Sequence, residues 1–100
     1  MSNDVTAARE FAKHIHVNQI HLGAAVELVG DFLQQEFEGP SRLAGSRYQF
    51  VIDPQLALVA ILPDGFTPEP GVQYRVKGKL QATGQFGAFP GLLIQTVDRK

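Results

Sequence analysis

Two hydrophobic rhythms run along this chain, a helical one near the start and a two-residue one from Ala24 onward. Behind Asp4, a side chain suited to an N-cap, the apolar residues Val5, Ala8, Ala12 and Ile15 recur at roughly helical spacing. This predicts a helix of about three turns ending near His14. A helix that short is marginal alone, so its apolar stripe should dock on the rest of the domain or on a partner. Residues 15–23 read equally as an extended arm or a further turn.

From residue 24 to 33 the period is two, with Val26, Leu28, Gly30 and Phe32 on one face and Glu27, Val29, Asp31 and Leu33 on the other. Punctuation by Gly39, Pro40 and Gly45 marks residues 38–46 as loop. A second strand is predicted over 47–52, ended by Asp53-Pro54, with Tyr48, Phe50 and Ile52 inward and Arg47, Gln49 and Val51 outward. The reverse orientation would put Arg47 and Gln49 into the core, which is costly. A third strand, 56–62, is apolar on both faces and is expected to be buried on both. Pro63, Gly65, Pro68, Pro70 and Gly71 keep 63–72 irregular. A fourth strand follows over 74–82, then a loop carrying Gly84, Gly87, Pro90 and Gly91, and a fifth strand over 92–97. Five strands with short connections and one helix predict an all-β fold.

An internal echo sharpens the prediction. Val26-Glu27-Leu28-Val29-Gly30-Asp31-Phe32 and Tyr74-Arg75-Val76-Lys77-Gly78-Lys79-Leu80 share one frame, with a glycine at the same place. Glycine inside a strand marks a bulge or a tight bend at a barrel corner. The order strand, glycine bend, strand, strand, loop, strand, glycine bend, strand resembles the OB (oligomer-binding) superfamily over about residues 24–98. That resemblance implies a five-stranded OB-type Greek-key barrel with a short N-terminal helix. Residues 1–22 are then a helix and arm, and 23–100 the barrel domain.

Two families within that superfamily share local features. Val17-Asn18, Leu22 and the 26–32 heptad are similar to the opening of the small subunit of replication protein A, which implies a role in assembling a DNA-binding complex. Ala60-Ile61-Leu62-Pro63-Asp64-Gly65-Phe66, followed by Val76-Lys77-Gly78-Lys79-Leu80, resembles the haem chaperone of cytochrome c maturation. That family attaches haem through a histidine near its last strand, where this chain reads Leu92-Leu93-Ile94-Gln95-Thr96-Val97-Asp98. Haem is not carried over, and no cofactor is expected.

Composition narrows the field further. One hundred residues make one domain, and 44% hydrophobic with 19% charged is a globular profile. The absence of cysteine excludes disulfides, zinc thiolates and thiol catalysis. No stretch reaches the eighteen or so apolar residues of a membrane span, and the first residues do not resemble a secretory signal. The expected address is cytoplasmic, with no membrane partner. The net charge of −1 hides an asymmetry: residues 1–71 hold nine acids and four bases, and residues 72–100 one acid and five bases. Any pull on phosphates must therefore come from a local stripe.

Candidate chemistry is sparse. His14 and His16 would share a face on an extended segment, but no cysteine or clear carboxylate completes a metal site, and surface histidines at a helix end explain them. Ser2, Ser41 and Ser46 lack a nucleophile elbow, and Gly84-x-x-Gly87 lacks the lysine and helix of a phosphate loop. Glu36 and Glu38 read as a solvated pair. No enzyme is expected. Arg75, Lys77 and Lys79 should project outward together, Arg42 and Arg47 flank the first loop, and Phe86 and Phe89 sit in the last. Cations beside loop aromatics suit single-stranded nucleic acid, with charge for phosphates and rings for bases. The predicted groove floor, however, offers no ring, and a lysine stripe also protects a sheet edge. Val29, Leu33, Val51 and one face of the third strand form an apolar surplus that needs covering, by the helix or by a second subunit. The leading expectation is a non-catalytic OB-type binding module acting as a subunit of an assembly, such as one that handles nucleic acid, with a protein partner or self-association. The alternatives are direct single-strand binding, and a small-ligand or haem carrier.

Overall fold

A computed structural model describes residues 3–15, 20–37, 45–83 and 89–100, with the side chains of residue 3, 35–37 and 45–47 left aside. The chain forms α1 (Asn3–Lys13), β1 (Ala25–Phe37), β2 (Gly45–Asp53), β3 (Leu56–Ile61), β4 (Gln73–Thr83) and β5 (Phe89–Arg99). The strands close into a ring in the order β1-β2-β3-β5-β4, with β4 returning to β1. Every contact in the ring is antiparallel except the short one between β3 and β5.

One strand serves two neighbours. Residues 25–31 of β1 pair with β4, and residues 31–37 pair with β2. The hand-over falls at Gly30, where an added Cβ would stand well inside 3 Å of the Val51 carbonyl oxygen. Gly78 sits at the β4–β5 register shift, and a Cβ there would meet the Leu93 carbonyl in the same way. Both glycines thus mark close backbone approaches inside strands, as the echo predicts. The two echoing heptads in fact pair with each other: Val26 lies opposite Gly78, Leu28 opposite Val76, and Gly30 opposite Tyr74. The ribbon has an approximate two-fold relation that lets each glycine face the first residue of the other heptad.

Side-chain parity follows the sequence pattern. Val26, Leu28, Phe32, Phe50, Leu56, Leu58, Val76, Leu80, Leu92 and Ile94 are buried inside the ring, with Tyr48 and Ile52 packed against them. Phe32 is the hub of an aromatic cluster, its ring centroid 5.0 Å from Phe50, 5.4 Å from Tyr74, 5.9 Å from Phe66 and 6.4 Å from Tyr48. The edge-on geometry of most of these pairs favours the ring quadrupoles.

A closed ring has two open ends, and different segments fill them. α1 places Ala8, Phe11 and, just beyond its last turn, Ile15 in the core at the end where β1 begins and β2 turns into β3. At the other end the 62–72 segment brings Phe66 to 5.5 Å from Tyr74 and adds Val72. The Glu69 backbone N–H donates to the Tyr74 hydroxyl at 3.0 Å, and Arg99 pairs with Glu69, tying this segment to β4 and β5.

Several expectations are corrected. The helix starts at Asn3, so Asp4 lies within its first turn, and its carboxylate accepts a 2.8 Å hydrogen bond from the Glu27 backbone N–H. β1 runs on to Phe37 and β2 starts at Gly45, because main-chain pairing continues past the point where the two-residue pattern fades. β3 is buried on its inner face only; outward Ala57 and Val59 are partly exposed. β5 begins at Phe89, so Phe89, Pro90 and Gly91 are strand residues. Pro90 is tolerated because it pairs with Ala82 before β3 joins at Gly91, a position with a single neighbouring strand. The helix covers the apolar surplus only in part: Asp4 and Val5 of its first turn lie beside Val29, while Leu33 stays 53% exposed. The predicted loop positions 38–44 and 84–88 lie outside the described residues.

Candidate functional site

The candidate residues fall on two outer faces, because successive side chains on a strand alternate sides. On the face of β1, β4 and β5, Arg75, Lys77 and Lys79 project outward together and are all exposed, as their alternation with Tyr74, Val76, Gly78 and Leu80 requires. The stripe is not free charge. Glu27 lies directly opposite Lys77, and its carboxylate stands 3.6 Å from the Arg75 guanidinium and 3.8 Å from the Lys77 ammonium. On the other flank Asp98 lies opposite Arg75. A shallow crevice of about 390 Å³ beside the stripe is lined by Asp4, Val5, Glu27, Leu28, Val29 and Arg75, which adds a third carboxylate. Lys79 faces Ala25 on one side and Leu93 on the other, with no acid among its neighbours in register.

The second face belongs to β1, β2 and β3. Register places Leu33 beside Gln49, Gln49 beside Val59, and Val51 between Asp31 and Ala57. Ile61 continues the apolar surface to Leu93 on β5. Apart from Asp31 at its border, the described side chains of this patch carry no charge and no aromatic ring. Arg47 holds a register position opposite Gln35 at its margin. Phe89 is 56% exposed at the start of β5. Arg42 and Phe86 lie outside the described residues.

The histidines serve the helix. The His14 backbone N–H donates to the Glu10 carbonyl at 3.1 Å, adding one hydrogen bond just past the end of α1. His21, in the left-handed region at φ 66°, places Nε2 at 2.9 Å from the Glu10 carboxylate. His16 lies outside the described residues. Among those residues no three potential ligands gather for a metal, and no helix is long and apolar enough to cross a membrane. Arg9 reaches Asp53 at 2.6 Å across the end filled by α1. That guanidinium hydrogen bond, with a second from the Gln55 backbone N–H, holds the Asp53 carboxyl below its ordinary value.

Sequence reasoning found the stripe and missed its counter-charge. The signal was present in the echo: two copies of one heptad paired antiparallel bring Glu27 against Lys77. Compared with known proteins, the chain matches no family model, no curated protein and no solved structure.

Proposed function

We propose that this chain is a non-catalytic OB-type binding module that serves as a subunit of an assembly, one that handles nucleic acid, and meets its protein partner through the outer face of β1, β2 and β3. The strand order, the parallel β3–β5 contact and the shared, glycine-bent β1 support the OB-type Greek-key assignment. The similarity of residues 17–32 to the opening of the replication protein A small subunit supports the role in assembly.

One observation carries the functional reading. The β1–β2–β3 face presents Leu33, Val51, Ala57, Val59 and Ile61, and apart from Arg47 at its margin its described residues supply neither cations for phosphates nor rings for bases. Such a surface gains from burial against protein, at about 25 cal/mol per Å² of apolar area removed from water. It offers a nucleic-acid strand neither of the contacts that single-strand binding uses.

Direct single-strand binding is the second reading, and the exposed Phe89 together with Lys79 favours it. A carrier that enclosed a small ligand or haem would hold it inside the ring, which the Phe32 cluster occupies and α1 closes at one end.

The test compares the native chain with Val59→Asp by light scattering and by partner binding. The substitution sets a carboxylate in the centre of the face without touching the core. The expected result is a complex larger than the monomer that Val59→Asp dissociates while the melting temperature holds. A complex indifferent to Val59→Asp and Leu33→Asp would remove this face from the reading. Tight, steeply salt-dependent oligonucleotide binding by the native chain would put the second reading in its place.

A further inference from the structure

We propose that Glu27 is a selectivity residue: its carboxylate, placed between Arg75 and Lys77, masks the basic stripe and bars polyanions from the β1–β4–β5 face. The inference rests on the reading above, in which the partner is a protein, and explains how a module with three aligned cations avoids nucleic acid as a direct ligand.

The geometry gives one carboxylate to two cations. Register fixes Glu27 opposite Lys77, so the pairing follows from the ladder and not from a chance rotamer. Its oxygens reach both Arg75 and Lys77, at 3.6 Å and 3.8 Å. Its backbone is also held, since the Glu27 N–H donates to Asp4. Asp4 and Asp98 add their charges at the two flanks of Arg75. Three carboxylates then stand among three cations, and the face is close to neutral as a whole. Surface ion pairs contribute little to stability. Their effect on the local potential, which a phosphate backbone senses, is larger relative to that small energy.

Removing the mask has a calculable consequence. Each cation freed to neutralise one phosphate of a single strand gives a salt slope of about −0.7, or about eight-fold in affinity at 50 mM salt relative to 1 M. At 300 mM the same contact is worth only about two-fold.

The experiment measures fluorescence anisotropy of a labelled single-stranded oligonucleotide, as a generic polyanion, against the native chain, Glu27→Gln, Glu27→Gln/Asp98→Asn and Asp64→Asn. Asp64 lies in an exposed turn away from the stripe, so its substitution changes the net charge by the same one unit without unmasking anything. Glu27→Gln is expected to gain about eight-fold at 50 mM salt, and the double variant more. Adding Lys77→Ala and Lys79→Ala to Glu27→Gln should abolish the gain, and Asp64→Asn should match the native chain. Equal gains for Asp64→Asn and Glu27→Gln, or no gain for either Glu27 variant with melting temperatures unchanged, would overturn the mask. Those outcomes leave the partner-binding face intact, whereas tight binding by the native chain would count against the protein-partner reading itself.

Discussion

Gly30→Ala tests the hand-over of β1 from β4 to β2 at the smallest possible scale, one methyl group. The new Cβ would sit 3.0 Å from the Val51 carbonyl carbon, closer still to its oxygen, and 3.2 Å from Cζ of Phe50. The phenyl tip could shift a few tenths of an ångström, but the carbonyl belongs to the β2 backbone, where Val51 pairs with both Asp31 and Ala57. Relief therefore requires opening the ladder at the place where three strands meet. Overpacking against mobile side chains costs about 1–3 kcal/mol, and an immovable backbone oxygen puts this substitution at or above the top of that range. A chain of this size has about 5–15 kcal/mol of stability in all. A loss of about 3 kcal/mol would lower its melting temperature by roughly 12–24 °C. Thermal and urea unfolding followed by circular dichroism measure it, with a spectrum that stays β-rich below the transition. A variant within about 1 kcal/mol of the native chain would refute the reasoning, since the overlap leaves no cheap relaxation.

Two further perturbations probe how α1 is held. Phe11→Ala removes a fully buried ring from the end of the core, and urea unfolding should show a loss of about 3–5 kcal/mol; a cost under 1 kcal/mol would mean that the helix docks elsewhere. Arg9→Ala should raise the Asp53 pKa towards its ordinary value, read by carboxyl NMR titration, because the Arg9 hydrogen bond is the largest cause of its depression. The sign for stability is fixed: a folded-state pKa below the unfolded one stabilises at pH above the unfolded value, and the gain fades as pH falls through the folded one. The native chain should therefore lose its advantage over Arg9→Ala on acidification below pH of about 4, and an advantage constant down to pH 2 would contradict the assignment.

What the sequence made legible is what depends on neighbours along the chain. Alternation gave the inward and outward sides of β1, β2 and β4, though not of the uniformly apolar β3, and Gly30 and Gly78 stood out because a glycine inside such an alternation has a cost that some close approach must repay. The limits of the strands were not legible where backbone pairing outlasts the side-chain pattern. Gln34, Gln35 and Glu36 are polar on both faces, yet their main chain pairs with residues 46–48. Pro90 reads as loop until β4 is seen alone beside it. Asp4 has the chemistry of an N-cap, and only the fold brings the Glu27 N–H, twenty-three residues away, to its carboxylate. The counter-charge on the stripe needed the pairing as well as the echo, since Glu27 meets Lys77 only once the two heptads lie antiparallel in this register.

The plugging of the two ends constrains where any partner can act. A ring of five strands is closed along its sides but not at its ends, and a core as small as this one cannot leave Phe11 or Phe66 positions vacant without exposing Phe32, Leu28 and their neighbours. α1 is therefore part of the fold and not a free recognition helix, although its short length and N-terminal position suggest a detachable arm. Its apolar side is spent on the core through Ala8, Phe11 and the adjoining Ile15, and its polar side is engaged with the strands and their turns through Asp4, Arg9 and Glu10. Among the described residues the surfaces left to a partner are the outer faces, and these differ in kind: one is apolar and nearly uncharged, the other is studded with balanced charge.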